Sequence, residues 1–276
     1  MTVLFRLLAL FPLLVLHGLG WVMGWLAFLL APEYRQRFLE NARLAGLPRR
    51  QWLRAVGESG KLVAELPRLW MGRTPAVQWD GSELVTAALA GGKGIVFLTP
   101  HLGCFEITAQ AYAARFGVAG HPMTVLFRPA RKKYLQTLVA GARSRPGMDS
   151  ASTTLSGVRQ LLRVLKNGHC VGLLPDQVPP SPLGVWAPFF GKPAYTMTLS
   201  ARLALQSGAA VLIAWGERRS WGRGYVVHVR PLPQALSTDM PQAAAQINAA
   251  MESLILAQPE QYLWGYARYK EPRESL

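Results

Sequence analysis

The segment Thr99-Pro100-His101-Leu102-Gly103-Cys104-Phe105-Glu106 places an imidazole and a carboxylate five residues apart. On one continuous helix that spacing leaves the two side chains about 140° apart, and on one strand they face opposite sides. They can meet only across a turn. Pro100 and Gly103 supply one, between the apolar run Ile95 to Leu98 and a helical pattern that begins near Phe105. A carboxylate that takes the proton of one ring nitrogen leaves the other free to accept a proton from an attacking hydroxyl, so the pair can act as general base and orienting acid. The same spacing also allows a simpler reading, in which His101 ends a strand and Glu106 is an acid favoured at a helix start by the macrodipole.

Two further strand ends carry polar groups. Phe127-Arg128-Pro129 follows the run beginning at Met123, and Arg128 there can hold a phosphate or carboxylate in bidentate fashion. Arg131, Lys132 and Lys133 read as a solvated basic face. Pro175-Asp176-Gln177 follows the run beginning at Cys170. Asp176 can fix a substrate hydroxyl, brace Arg128 or His101 from behind, or begin the turn that Pro179, Pro180 and Pro182 continue, and Gln177 beside it is a further candidate substrate contact. The segment Trp186 to Tyr195 reads as an apolar loop, with Phe189 and Phe190 either lining an acyl-chain groove or covering a sheet edge.

Positioning these residues requires a sheet. Periodicity predicts strands near 77–79, 95–98, 123–127, 170–174, 211–215 and 225–229, and helices near 82–90, 105–116, 131–143, 154–166, 197–207 and 241–257. Such alternation predicts an α/β fold, a central mixed sheet flanked by helices with active residues at strand carboxyl ends.

A chain of 276 residues, half of them hydrophobic, is ample for one such domain and an appendage. Leu7 to Ala31 is free of charge and long enough at about 1.5 Å per residue to cross a hydrocarbon core of roughly 30 Å, so residues 1–33 read as a retained membrane anchor and 34–276 as the catalytic domain. Pro12, His17, Gly18 and Gly20 interrupt the run and can break it into two pieces, one lying along the interface. Gly20 and Gly24 form a GxxxG, read here as chance spacing rather than a dimer face. The arginines after the run put the rest of the chain on the cytoplasmic side. A formal charge of +15 implies a polyanionic partner, and no helix-turn-helix, zinc or aromatic-platform pattern points to nucleic acid. Two cysteines, Cys104 and Cys170, make no disulfide framework. The remaining histidines make no metal-ligand spacing with them, so neither metal nor cofactor is expected.

His101 to Glu106, Phe127-Arg128-Pro129, Pro175-Asp176-Gln177 and Pro188-Phe189-Phe190-Gly191-Lys192-Pro193, in that order, resemble the late acyltransferases of lipid A biosynthesis, the lauroyl and myristoyl transferase family related to the glycerolipid acyltransferases. The resemblance reaches from the amino-terminal anchor to Pro259-Glu260-Gln261-Tyr262-Leu263-Trp264. It implies a glycerolipid-acyltransferase-like fold and a bacterial inner-membrane enzyme that faces the cytoplasm. The donor it implies is acyl carrier protein, and the acceptor a hydroxyl of a lipid A precursor in lipopolysaccharide biosynthesis. Residue by residue, the family's base falls on His101 and its orienting acid on Glu106, while Arg128 and Asp176 match positions of less settled role. Relatives often carry Leu-Gly-Asn-Trp where this chain has Leu102-Gly103-Cys104-Phe105, and His-Arg-Arg near the end where it has Tyr266-Ala267-Arg268. A developing oxyanion needs donors, for which the Gly103 and Cys104 amides are candidates and Arg128 is second. Direct transfer is implied, with Cys104 as a small packing residue. The basic surface would serve acidic acyl carrier protein, the anionic membrane and a phosphorylated acceptor alike. Acyl transfer to another glycolipid, a lysophospholipid or an aminolipid uses the same motifs. A membrane-anchored protein that merely binds anionic lipid is the alternative from another class.

Overall fold

Short apolar runs bounded by glycine and proline fold as strands, and the amphipathic segments between them fold as helices. The computed structural model describes residues 2–127 and 145–274. The amino-terminal helices are α1 (Thr2–Leu10), α2 (Leu13–Leu30), α3 (Pro32–Leu44), α4 (Arg49–Ala64) and α5 (Leu66–Met71). There follow β1 (Val77–Asp80), α6 (Ser82–Ala90), β2 (Ile95–Leu98), α7 (Phe105–Tyr112), β3 (Met123–Phe127), β4 (Met148–Ser152), α8 (Leu155–Lys166) and β5 (Cys170–Leu173). The last are β6 (Gly184–Phe189), β7 (Lys192–Met197), α9 (Leu199–Ser207), β8 (Ala210–Arg218), β9 (Tyr225–Pro231) and α10 (Met240–Ala257).

All four residues of β2 are buried, as expected of a strand covered on both faces. It sits mid-sheet in the order β1-β9-β8-β2-β5-β3-β4, parallel to β5 and β8, and the antiparallel β8–β9 pair makes the sheet mixed. Alternation along the strands sends Val96 and Leu98 into one core with Val171, Ile213 and Met251, and Ile95 and Phe97 into the other with Tyr112, Met123 and Val227. The expected strands and described helices are present, within a few residues at their ends. The expected helix at 131–143 lies outside the described residues.

Two elements escaped the sequence. Met148–Ser152 carries mostly polar side chains and is an edge strand, where alternation is weak. Trp186 to Tyr195 is no loop: β6 and β7 form a two-stranded antiparallel hairpin, with Pro188 paired opposite Pro193. Proline is tolerated because each strand has one free edge. Phe190 and Gly191, at φ 46° and 74°, make the left-handed two-residue turn that suits a twisted hairpin.

The amino-terminal helices are packed into the domain. Gly20 and Gly24 of α2 cross Gly57 and Gly60 of α4 so closely that a Cβ on Gly60 would stand 2.0 Å from the Gly20 carbonyl oxygen, and one on Gly24 2.3 Å from that of Val56. The GxxxG is therefore an intrachain helix seam, neither chance nor a dimer face. Further along, Phe28 packs on Phe38 and Trp52. At the other end His17 reaches a buried cluster in which Arg218 pairs with Glu65 at 2.9 Å and the Tyr225 hydroxyl donates to Glu65 at 2.9 Å.

Candidate active site

The parallel register brings the site together. Leu98 of β2 pairs with Leu173 of β5. His101 and Asp176 each stand three residues beyond that pair, at the same carboxyl edge of the sheet. The Asp176 carboxylate, 1% exposed, accepts from the His101 main-chain N–H at 2.8 Å and lies 2.7 Å from Nδ1 of its ring. Burial raises the Asp176 pKa, but the His101 charge, the two hydrogen bonds from His101 and the Arg268 charge outweigh it, leaving the carboxyl below its ordinary range. Ionised, it only accepts hydrogen bonds, so when the ring is neutral Nδ1 carries the proton and Nε2 presents a lone pair. The Gln177 side-chain nitrogen stands 3.0 Å from that Nε2. Of the roles the sequence left open for Asp176, bracing His101 from behind is the one the geometry supplies.

Behind Asp176 lies a layer the sequence did not disclose. Arg268, 2% exposed, donates to the Tyr195 carbonyl and the Thr196 hydroxyl at 2.7 Å each, and its charge reaches Asp176. Burial lowers its pKa, with neighbouring tyrosines and Asp176 pulling the other way. Burial and the Asp176 charge push the Tyr262 hydroxyl well up, so it stays protonated. The stretch at 266–268, where this chain departs from its resemblance, thus supplies a buried cation to the site. Arg268 could not be found in advance, because its partners lie about twenty to seventy residues away in sequence.

Glu106 is buried in the first turn of α7. Both ring nitrogens of His101 already face other groups, Asp176 and Gln177. An electrostatic neighbour of Glu106 is Arg145, whose guanidinium donates to the Leu69 carbonyl; burial lowers the Arg145 pKa and Glu106 raises it.

The amides named as oxyanion donors are taken. Gly103 N–H donates to the Gln261 carbonyl at 2.9 Å and Cys104 N–H to that of Gly216 at 2.7 Å. These bonds weave the turn into β8 and the carboxyl-terminal segment, and leave neither amide for a ligand. Gly103, at φ 59°, is required there: a Cβ would stand 2.1 Å from the Gly216 oxygen. The Arg218 guanidinium that pairs with Glu65 also donates to the Gly103 carbonyl at 2.6 Å. Cys104 is buried and free, and burial raises its thiol pKa far above the ordinary value, as suits a packing residue.

A small apolar pocket, about 50 Å³, lies beneath α7 on one face of the sheet. Thr99 and Phe105, which flank His101 in sequence, both line it, and the Phe105 ring centroid lies 4.9 Å from that of His101. Trp79, Tyr112, Met123 and Val227 line it elsewhere.

A family model of bacterial lipid A biosynthesis acyltransferases matches residues 62–271. The chain belongs to the bacterial lipid A biosynthesis acyltransferase family. The lipid A biosynthesis palmitoleoyltransferase of Escherichia coli (strain K12) is 28% identical over 192 residues, covering 69% of this chain and 60% of that protein. The lauroyltransferase of the same organism is 26% identical over 198 residues, 71% of this chain and 62% of that protein. A phosphatidylinositol mannoside acyltransferase of Mycobacterium tuberculosis (strain CDC 1551 / Oshkosh) is 30% identical over 149 residues, 51% of this chain and 45% of that protein. The chain thus spans about three fifths of the Escherichia coli relatives it matches.

In this lipid A acyltransferase family member the matched stretch holds His101, Glu106, Asp176 and Gln177, and also the buried Glu65–Arg218 pair. Arg128 falls within the match but lies outside the described residues. Phe189 and Phe190 belong to the core on the sheet face opposite the cavity. Phe189 packs under Arg268, and Phe190 on Trp264, its N–H donating to Glu252 at 2.8 Å. Their packing pins the hairpin to α10 and the carboxyl-terminal segment. The apolar space beside His101 is built instead from β2, β5 and α7.

Proposed function

We propose that this protein moves a fatty acyl chain from acyl carrier protein to a hydroxyl of a lipid A precursor, with His101 as general base. The observation that carries the reading is a histidine whose Nδ1 faces an ionised, buried Asp176 beside a small apolar pocket that could receive the start of an acyl chain. The acceptor oxygen attacks the thioester carbon while its proton passes to Nε2 of His101. The carbon–sulfur bond then breaks, and the departing thiolate takes that proton back. The Gln177 amide occupies the place the hydroxyl must take, so acceptor binding displaces it. Once free, its N–H groups can turn to the developing oxyanion, the role the Gly103 and Cys104 amides cannot fill. Glu106, the acid of the dyad that the family resemblance implies, lies buried in the first turn of α7, while Asp176 holds the ring. Arg128 is proposed to meet acceptor phosphate. The chain's net charge of +15 suits acidic acyl carrier protein, the anionic cytoplasmic leaflet of a bacterial inner membrane and a phosphorylated acceptor.

The test is transfer from a panel of acyl carrier protein thioesters to a tetra-acyl lipid A precursor, read by mass spectrometry, together with the lipids of a deletion strain. The expected result is one added acyl chain in vitro and one fewer on lipid A in the strain. An unchanged lipid A acyl count sinks this acceptor. The 30% identity to a phosphatidylinositol mannoside acyltransferase favours a second reading, transfer to another glycolipid, which the same lipid profile would reveal.

The cavity makes a prediction about chain length. Gly172 lines it, and a Cβ there would sit 3.3 Å from Val125 Cγ1 and 3.5 Å from Met123 Sδ, so a larger side chain would push on two other lining residues and narrow the space. Gly172→Val is expected to shift donor preference to shorter chains. At about 0.8 kcal/mol per buried methylene, two displaced carbons cost about tenfold in kcat/KM on the longer donor. An unchanged donor profile would place the acyl chain elsewhere.

A further inference from the structure

The length of α2, about 27 Å for its 18 residues, would let it cross a bilayer. Its packing argues otherwise. The buried stripe Leu13, Leu16, His17, Gly20, Gly24 and Phe28 faces the protein along nearly the whole helix, from the His17–Glu65 contact to the Phe28–Trp52 stack. The helix beneath, α4, carries Arg49, Arg50, Arg54, Glu58 and Lys61. Standing α2 across a membrane would draw those charges into hydrocarbon, or else tear apart the glycine seam and the buried Glu65–Arg218 cluster. The rest of α2 is nonetheless apolar and exposed, through Leu14, Leu19, Val22, Leu26 and Leu30, and continues into Leu7 and Leu10 of α1.

A separate observation extends this face. Trp221, on the 3-10 turn that follows β8, is 78% exposed and held at φ 60°, a conformation costly for a bulky side chain. The neighbouring Gly222 lies against α2, where a Cβ would stand 2.3 Å from the Leu14 nitrogen. The turn thus sets an indole beside the apolar helix, at the carboxyl edge of the sheet that also carries His101. Arg6 in α1, Arg35, which donates to the Leu29 carbonyl at the end of α2, and Arg223, two residues after Trp221, add positive charge that complements an anionic lipid surface.

We propose that α1 and α2, with Trp221, form a monotopic docking face that lies in the headgroup boundary of an anionic leaflet, with neither helix crossing the bilayer. The face lies beside the catalytic edge, so docking brings the mouth of the site to the layer in which a lipid acceptor resides. The inference stands on packing and holds whatever the acceptor is.

Two measurements on the full-length chain test it. Cys104 and Cys170 are buried, so a membrane-impermeant maleimide reads an introduced thiol alone. Thr2→Cys and Gln36→Cys, made separately, are expected to label from the same side, in inside-out vesicles and not in sealed right-side-out ones. Labelling from opposite sides means that the chain spans, and overturns the proposal. For the surface itself, purified protein is diluted onto phosphatidylethanolamine vesicles with and without phosphatidylglycerol. The double variant Leu19→Asp/Val22→Asp, and Trp221→Ser, are each expected to lose at least about tenfold in partition to the anionic vesicles at unchanged melting temperature. Unchanged partition, or a dimer that the double variant dissociates, would mean that something other than lipid covers the face, and overturns it as well.

Discussion

Replacing His101 with Ala is expected to lower acyl transfer by about 10²–10⁴-fold while folding and membrane association persist. The ring makes polar contacts to Asp176 and Gln177, both at the site, so its removal takes away the proposed base and little of the core. Asp176→Asn should cost a similar factor for a different reason. The carboxylate offers one oxygen to the His101 main-chain N–H and the other to Nδ1. An amide has only one oxygen, and if the main-chain bond keeps it, an N–H faces Nδ1 and the ring proton is forced onto Nε2. The base would then hold its proton on the working side. The signature is a fall in kcat with little change in KM and an altered pH profile, which simple loosening of the turn would not produce. Glu106→Gln completes the comparison. If Asp176→Asn keeps full activity and Glu106→Gln loses it, the orienting role belongs to Glu106. If His101→Ala transfers normally, the catalytic reading falls and a lipid-binding protein takes its place.

The second large effect concerns stability. Glu65 is fully buried and accepts from Arg218 through both oxygens, from Tyr225, and meets His17. Glu65→Ala removes the bidentate partner of the buried Arg218, leaving Glu58 3.8 Å away, and is expected to cost about 3–5 kcal/mol of unfolding free energy. Glu65→Leu combined with Arg218→Met should recover much of that, because no buried charge is left unpaired. The same group predicts a pH dependence. Burial raises the Glu65 pKa, but Arg218 and His17 overcome it and bring the carboxyl from 4.5 to about 2. A depressed folded-state pKa contributes stability above the unfolded value, lost as pH falls through the folded one, so this contribution, on the order of 3 kcal/mol, should disappear between about pH 4.5 and 2. Urea titrations at pH 7 and below pH 4.5 measure it. A wild type as stable at the lower pH, or a Glu65→Ala variant losing under about 1 kcal/mol, would show that the cluster is not what ties α2 to the sheet. Arg218 also holds the Gly103 carbonyl, so the destabilised variant should lose transfer activity before it unfolds.

Much of the architecture was legible because the signals that carry it are local. Ile95 to Leu98, Met123 to Phe127 and Cys170 to Leu173 read as strands from a few consecutive apolar residues, and each stretch of polar residues after them marked a carboxyl edge. The hairpin of β6 and β7 was misread because its prolines argue against a strand in isolation, and only pairing shows that their missing donors face outward. The seam of Gly20 and Gly24 was misread for a related reason: small residues reveal a close approach only once the helix that approaches is known.

By itself the sequence determined the strand-to-helix turn that carries His101, the apolar amino-terminal helices, and the run of motifs on which the family resemblance rests. Those features are set by residue type and short spacing. Only the tertiary structure showed that the Asp176 carboxylate faces Nδ1 of the His101 ring. That meeting depends on the Leu98–Leu173 register between strands 75 residues apart. It likewise decided that the Gly103 and Cys104 amides are already bonded, that Arg268 backs Asp176, and that α2 is held along its length by α4. Each of these is a meeting of distant residues, and hydrogen-bond geometry and close packing are settled by which surfaces face each other, which no local pattern encodes.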